Sequence, residues 1–291
     1  MPEIFAAAQM PSGFMVLSIV SLALSVLAYG VGGAQLSTGS KVEGSPLASR
    51  TWWIGTACQG LGFVFSLAAR QTLPLLIVQA CIVGGLAVTA IIEHVAGLRR
   101  MRPSGWAAIA AVVLGIAMLA MTTVPGPAPP ISVTHLVVIA AVVGACALAF
   151  LVRLPPSVSG VFGGTGFAIS AITARLLVAS PDTPLFQPWQ WGWQTWVAAV
   201  LLVLGLGLGQ MHLTRGLSVA NAVTVLSTNY LMSTIVPALF GLSLLGELPR
   251  PGTEFLAPLG LGTALVGAYV LIRGERPVAP AGAVAPAPPG E

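Results

Sequence analysis

The sequence predicts an all-α integral membrane protein with about nine transmembrane helices, and its composition is the first evidence. Of the 291 residues, 56% are hydrophobic and only 7% are charged. A soluble domain carries about 25% charged residues, so this chain could not cover a surface that faces water. Its long apolar runs are continuous and lack the alternation of a transmembrane β-barrel. The surface of the folded protein is therefore expected to face lipid.

Nine apolar runs are long enough to cross a bilayer, whose hydrocarbon core of about 30 Å needs roughly 17 to 25 helical residues. The breaks between the runs are rich in Pro, Gly, Ser and charged residues, as connections between helices should be. We expect residues 1–273 to form one transmembrane domain and the Pro/Ala-rich tail 274–291 to be disordered in the cytoplasm. In chain order the predicted spans are 14–34, 52–69, 73–96, 106–123, 136–152, 157–180, 196–214, 219–245 and 255–272.

The basic residues predict the orientation of these spans. Alternate connections, beginning with the first, are cytoplasmic under the positive-inside rule, because they hold nine of the twelve Lys and Arg residues: Lys41, Arg50, Arg99, Arg100, Arg102, Arg153, Arg215, Arg273 and Arg276. An odd number of spans then places the N-terminus outside and the C-terminus in the cytoplasm. The Trp-rich segment 189–196 falls on the outer side, where an interfacial aromatic anchor is expected.

The chain is weakly similar to itself at an offset of 145 residues. At this offset residues 21–25 (SLALS) align with 166–170 (GFAIS), and Arg70 aligns with Arg215. Spans 1–4 are thus predicted to recur as spans 6–9.

The predicted repeats cover residues 14–123 and 157–273, and the fifth span, 136–152, links them. An offset of five spans inverts the second repeat in the membrane. Inverted repeats are a construction typical of secondary transporters, whose substrate sites lie at the repeat interface.

Two segments carry a resemblance to a known family. Residues 217–274 combine a small-residue helix containing Pro237, a Leu-Gly-Glu sequence ending at Glu247 and a Gly-rich last span. This pattern resembles the last two helices of the drug/metabolite transporter superfamily, EamA-like branch. Residues 51–86, which open with Trp-Trp-x-Gly, are similar to the paired-helix unit of the magnesium-transporter-like (NIPA) members.

The resemblance covers nearly the whole chain and implies a carrier of the bacterial plasma (inner) membrane, with its substrate cavity between the repeats. The family pattern is ten helices in two groups of five. Here the segment that corresponds to the second helix is reduced to the polar loop 37–50, which leaves nine.

Charged residues inside the spans are costly in lipid, so each is a candidate functional group. Glu93, near the cytoplasmic end of span 3, is a candidate for coupling to a proton or cation. The alternative is that Glu93 lies at the level of the lipid headgroups and pairs with Arg99 or Arg100. Arg175, in the outer half of span 6, is a candidate to bind a substrate carboxylate or phosphate. Its alternative is to snorkel to the outer surface.

Neutral polar side chains near the middle of the spans are the other candidates for substrate binding. An interhelical hydrogen bond is the structural alternative for each hydroxyl. The amide and phenol of two adjacent residues are harder to explain structurally, because both groups need partners in hydrocarbon. With Arg175, the candidates are Ser25, Gln59, Gln79, Ser170, Asn221, Asn229 and Tyr230. A carrier is expected to have a water-accessible vestibule lined by four of them: Ser25, Gln79, Asn229 and Tyr230.

Several other classes of protein are disfavoured. The net charge of +4 comes without a basic face for nucleic acid, and the three cysteines have no zinc-site spacing. The Gly-rich run 204–209 lies inside a spanning helix and not between a strand and a helix, so it is not a nucleotide-binding loop. We expect no metal and no cofactor. The sequence shows no nucleophile–base pair, so we do not expect an enzyme.

The expected function is secondary transport of a small polar or amphipathic metabolite by alternating access, as an exporter or exchanger. The alternative is a non-transporting scaffold or partner subunit that keeps the carrier fold. A magnesium transporter is less favoured, because the middle of the membrane lacks the carboxylates that Mg²⁺ prefers. The expected partners are the lipid bilayer and a small-molecule substrate, and a homodimer is compatible with this function.

Overall fold

The computed structural model describes residues 12–39, 48–97, 100–122, 124, 126–180, 183–184, 187–217 and 222–273. In these residues it contains nine α-helices, one for each predicted span, so the all-α class is confirmed. The helices are α1 (Ser12–Gly39), α2 (Arg50–Thr72), α3 (Leu75–Val95), α4 (Pro103–Thr122), α5 (Val133–Phe150), α6 (Pro156–Ala179), α7 (Trp193–Leu217), α8 (Ala222–Ser243) and α9 (Leu256–Arg273).

Eight of these helices are long and apolar enough to cross a membrane. The ninth, α8, has 22 residues, which is a comparable length, and it contains the polar run around Asn229. Large apolar side chains are exposed along the outside of the bundle, including Val113, Val203 and Val266. A surface of this kind is stable only against lipid, so the chain is a multi-pass membrane protein.

Local sequence signals explain where the helices begin and end. Ser49 caps α2 by accepting a hydrogen bond from the backbone N–H of Trp52. That helix ends before Leu73, which is extended because a proline follows it. Ser132 and His135 form a reciprocal capping box at the start of α5.

The helices pack as two groups with a shared centre. In one group α1 packs against α2 and α3, and in the other α6 packs against α7 and α8. The pair α4–α9 joins the two groups, as do the contacts of α2 with α6 and of α3 with α8 and α9. Of the eight helices that are long and apolar enough to cross a membrane, α6 and α3 are the most buried. They therefore form the centre of the bundle.

Glycines set the close contacts between helices. A Cβ built at Gly115 of α4 would lie 2.5 Å from the backbone oxygen of Gly260 in α9. In the Gly-rich run of α7, Gly205 and Gly209 face the backbone of α6, whereas Gly207 has no atom within 4 Å of a built Cβ. The run is therefore a helix-packing surface, which is the role small residues commonly play in membranes.

Candidate functional site

A buried ion pair lies at one end of the bundle, where α2, α4, α6 and α8 end and α3, α5, α7 and α9 begin. We call it the Arg175 end. Arg175 of α6 donates from Nε to Oε1 of Glu247, in the α8–α9 loop, at 2.9 Å. The two side chains are 1% and 9% exposed. A charge-assisted hydrogen bond this well shielded from water is among the stronger contacts a protein makes.

The ion pair is connected to several chain segments at once. Arg175 also donates to the backbone oxygens of Arg70, at the end of α2, and of Gly126, in the α4–α5 loop. The other oxygen of Glu247 accepts the backbone N–H of Leu75, which opens α3, at 2.8 Å. That N–H belongs to the first turn of a helix and has no partner within α3. One ion pair thus joins α2, α3 and α6 to two loops at the Arg175 end.

Arg70 is the second buried arginine of this region and is 1% exposed. Its Nε donates to Oγ of Ser66, one helical turn back, at 3.2 Å, and its Nη1 donates to the backbone oxygen of Ala171 in α6 at 3.0 Å. Its Cζ lies 5.9 Å from the centre of the Phe63 ring. Because Ser66 and Phe63 precede it in α2, the Arg70 side chain points from the end of the helix toward the interior of the bundle.

Two tyrosines lie on the interior side of Arg70. Tyr29 of α1 packs against glycines of α2 and α3, where built Cβ atoms would lie 2.9 Å and 3.2 Å from the tyrosine side chain at Gly62 and Gly85. Tyr29 lies in the neighbourhood of Arg70 and of Tyr230 of α8. Both tyrosines are half-buried although Tyr29 faces α2 and α3. The two tyrosines are therefore less buried than Arg70, which is 1% exposed.

The hydroxyls predicted to bind substrate serve helix packing. Ser25 donates to the backbone oxygen of Gly62 in α2 at 2.7 Å. Ser170 donates to Gly166 in its own helix at 3.1 Å and to Leu202 in α7 at 3.0 Å. Both are fully buried, so the structural alternative describes their contacts.

The remaining candidates lie in different parts of the bundle. Gln79 is buried in α3, and Gln59 of α2 is half-buried beside α1. Glu93 is buried near the end of α3 that is remote from Arg175. Asn229 is buried in α8, and its Oδ1 has no hydrogen-bond partner in the described part of the chain. Asn221 lies outside the described residues.

The structure brings together only some of the predicted site residues. Tyr230 lies with Tyr29 and Arg70, whereas Arg175 is paired with Glu247 and lies on the far side of Arg70. Sequence reasoning missed Arg70 and Glu247 as a unit. Two signals for them were present: Arg70 is a charge within two residues of the end of a span, and Glu247 ends the Leu-Gly-Glu sequence.

Two cavities open on the lipid-facing side and have apolar linings. One, of about 150 Å³, lies between α3, α8 and α9 beside Leu76 and Leu239. The other, of about 350 Å³, lies on the outer surface of α4 and α9. Neither is lined by the residues of the expected vestibule. No group of three or more metal-binding side chains occurs within the described ranges.

Outside the spans, the α8–α9 loop also carries Glu254, whose carboxylate accepts the backbone N–H of Gly252 at 3.0 Å. Hydrogen bonds from the backbone N–H groups of Glu254 itself and of Gly252 lower the pKa of this carboxyl below its ordinary value. Glu254 is exposed to water, so it offers a comparison for the buried Glu247 of the same loop.

The chain matches no family model, no curated protein and no solved structure. The resemblance to drug/metabolite transporters therefore depends on the residues of this chain alone, and its function must be argued from the geometry.

Proposed function

We propose that this protein is a secondary transporter that moves a small polar or amphipathic metabolite across a plasma membrane by alternating access. The observation that carries the proposal is an asymmetry between two similar halves. Helix α2 packs against α6 of the other half at the Arg175 end, and the corresponding pair of helices, α7 and α1, is not packed in the described part of the chain.

The helix contacts support an inverted repeat. An offset of five helices maps α1, α2, α3 and α4 onto α6, α7, α8 and α9. Under this mapping the pair α1–α2 corresponds to α6–α7, α1–α3 to α6–α8, and α3–α4 to α8–α9, and all six pairs are packed. The pairs α4–α9 and α3–α8 each map onto themselves. Most of the architecture is thus what two inverted copies of one four-helix unit would produce.

Three contacts break this symmetry, and one of them is between α3 and α6, whose counterpart α8–α1 is not packed in the described part of the chain. Helix α2 packs against α6, yet in the described part of the chain the corresponding pair α7–α1 is not packed. Helix α3 packs against α9, and the corresponding pair α8–α4 is likewise not packed there. In an alternating-access transporter the two repeats have different conformations, and exchanging them opens one end and closes the other. The asymmetry supports a molecule closed at the Arg175 end.

The charge distribution supports the assignment of the Arg175 end as the outer end. The connections predicted to be cytoplasmic, such as the one between α3 and α4 that includes Arg100 and Arg102, lie at the opposite end of the helices. The proposed conformation is therefore closed to the outside. Opening it requires the ion pair between Arg175 and Glu247 to separate or to move with one half.

A scaffold without transport activity is the second candidate, and the polar stripe of α1 favours it. Ser18, Ser21 and Ser25 lie on one face of α1, and each donates to a backbone oxygen of α2. Hydroxyls used in this way hold two helices together and do not bind substrate. A scaffold that keeps the carrier fold would also have the inverted pairing of helices, so we place the carrier first on the asymmetry between the two halves.

The test is exchange in proteoliposomes that contain the purified protein, with a panel of acidic, neutral, basic and aromatic metabolites. An alternating-access carrier moves a labelled substrate faster when unlabelled substrate is present on the opposite side. We expect such acceleration for at least one compound and a lower rate in Asn229→Ala/Tyr230→Phe. Gly207→Ala, whose added methyl group meets no atom within 4 Å, is the control. No exchange of any compound by folded protein would favour the scaffold.

A further inference from the structure

The positive and negative charges buried at the Arg175 end do not cancel. Arg70 and Arg175 are each 1% exposed, and the Arg175 side chain donates to the backbone oxygen of Arg70. Among the described residues Glu247 is the one carboxylate of this cluster, and both of its oxygens are used, by Arg175 and by the N–H of Leu75. Two guanidinium groups and one carboxylate leave one positive charge. An uncompensated charge inside a membrane protein is costly and marks a functional site.

The unbalanced charge lies on Arg70. Among the described residues, its hydrogen-bond acceptors are a hydroxyl and a peptide oxygen, which are neutral groups. Within the described ranges its Nη2 makes no hydrogen bond, and no carboxylate lies within ion-pair distance of it. A guanidinium has five N–H donors in a planar fork that matches a carboxylate. Part of this fork is therefore available in a region where water is scarce.

The surroundings of Arg70 suit a ligand with an aromatic or apolar body. The Phe63 ring lies beside the guanidinium, and Tyr29 and Tyr230 are half-buried on the interior side. Tyr230 also packs against the apolar cluster that contains Val83 and Ala87 of α3. Aromatic side chains of this kind bind flat apolar groups, and the phenols can donate hydrogen bonds to a carboxylate.

We propose that Arg70 binds the carboxylate of a monoanionic substrate whose aromatic or apolar body lies against Phe63, Tyr29 and Tyr230. One negative charge neutralises the cluster, whereas a dianion would reverse its sign and a neutral compound would leave Arg70 unpaired. This assignment names the substrate class of the proposed transporter, and its biological role rests on the proposed transport function. The binding of a carboxylate to Arg70 does not depend on transport.

The two arginines then have different tasks. Arg175 is held by Glu247 and by two peptide oxygens, so it keeps the Arg175 end closed. Arg70 lies between that closure and the interior. Arg175 donates to the backbone oxygen of Arg70. A ligand bound at the Arg70 side chain is therefore linked through Arg70 to the ion pair of Arg175 and Glu247.

The test is equilibrium binding of radiolabelled benzoate to the purified full-length protein in detergent. Benzoate carries one negative charge on a flat apolar body, and benzamide has the same shape without the charge. We expect saturable benzoate binding that benzamide does not displace, and that inorganic phosphate displaces less well than phenylacetate does. Arg70→Gln should weaken benzoate binding by about tenfold or more, since it removes a charge-assisted contact. Arg70→Lys should retain part of the affinity.

The control is Arg215→Gln, which removes an arginine at the opposite end of the bundle, where its side chain contacts Phe150. We expect its benzoate affinity to equal that of the wild type. The proposal would be overturned by equal displacement by benzamide and phenylacetate, or by tighter binding of phosphate than of benzoate. It would also be overturned if folded wild-type protein showed no saturable binding, or if a folded Arg70→Gln variant kept its affinity. The comparison of benzoate with benzamide needs no variant, so it decides even if Arg70→Gln fails to fold.

Exchange measurements on the same preparation separate this proposal from the proposed function. Benzoate binding that depends on Arg70, without exchange of any carboxylate in proteoliposomes, retains the site and rejects the carrier. Exchange of a neutral or cationic compound, without benzoate binding, retains the carrier and rejects the site.

Discussion

Glu247→Gln tests the closure of the Arg175 end most directly, because it removes the negative charge and keeps the size of the side chain. Removing one partner of a buried ion pair costs about 3–5 kcal/mol, since the other charge is left without compensation. Glutamine can still accept one of the two hydrogen bonds that Glu247 accepts from Arg175 and Leu75. We therefore expect the lower end of that range, a loss of about 3 kcal/mol in the free energy of unfolding.

The measurement is unfolding of the purified protein in mixed micelles, with increasing SDS and helix content or tryptophan fluorescence as the signal. Glu254→Gln is the matched control. It makes the same substitution in the same loop, but at an exposed carboxylate that accepts a hydrogen bond from Gly252. We expect the stability of this control to equal that of the wild type.

A double-mutant cycle shows whether the loss belongs to the ion pair. Arg175→Gln alone leaves the Glu247 carboxylate without its cation, and the double variant removes both charges. We expect the double variant to lose less stability than the sum of the single variants, by about 1–3 kcal/mol. A loss in Glu247→Gln no larger than that in Glu254→Gln, or strictly additive losses, would refute the role we assign to this pair.

Three further predictions concern packing and orientation. Gly205→Ala should lower the free energy of unfolding by about 1–3 kcal/mol, because a Cβ there would lie 2.7 Å from a side-chain oxygen and 2.9 Å from a backbone oxygen of α6. Gly207→Ala is the control and should not lower it in the same titration, because its added methyl group meets no atom within 4 Å. Ser25→Ala should cost about 1 kcal/mol by the same assay, since it loses a single hydrogen bond to α2. In a cysteine-free background, a membrane-impermeant maleimide should label Gly192→Cys in intact cells and Lys41→Cys only after lysis; the reverse pattern would contradict the orientation.

The spans were predictable from the sequence because hydropathy and helix length are local properties. Each of the nine apolar runs contains enough neighbouring residues to bury its own backbone hydrogen bonds in lipid, whatever the other runs do. The helix ends followed from equally local signals, such as the Leu73–Pro74 sequence after α2. The role of the Gly-rich run in α7 was also predictable, because a spanning helix excludes a nucleotide-binding loop.

The site was predictable only in part. Arg175 was singled out because a charge inside a span is rare, but its partner could not be named. Ser25 and Ser170 were chosen as candidates for substrate binding by position along their spans, and position does not say whether a hydroxyl faces a cavity or the backbone of the next helix. In the structure both donate to a neighbouring helix.

The sequence by itself determined that the chain is an all-α membrane protein, where its helices lie along the chain, and which of its residues are too polar for lipid. Only the tertiary structure decided which of those residues meet. Arg175 and Glu247 are 72 residues apart, and Arg70 and Ala171 are 101 apart. Such contacts depend on the rotation and depth of each helix. These are set by close packing at glycines such as Gly115 and Gly205, between segments far apart in the chain.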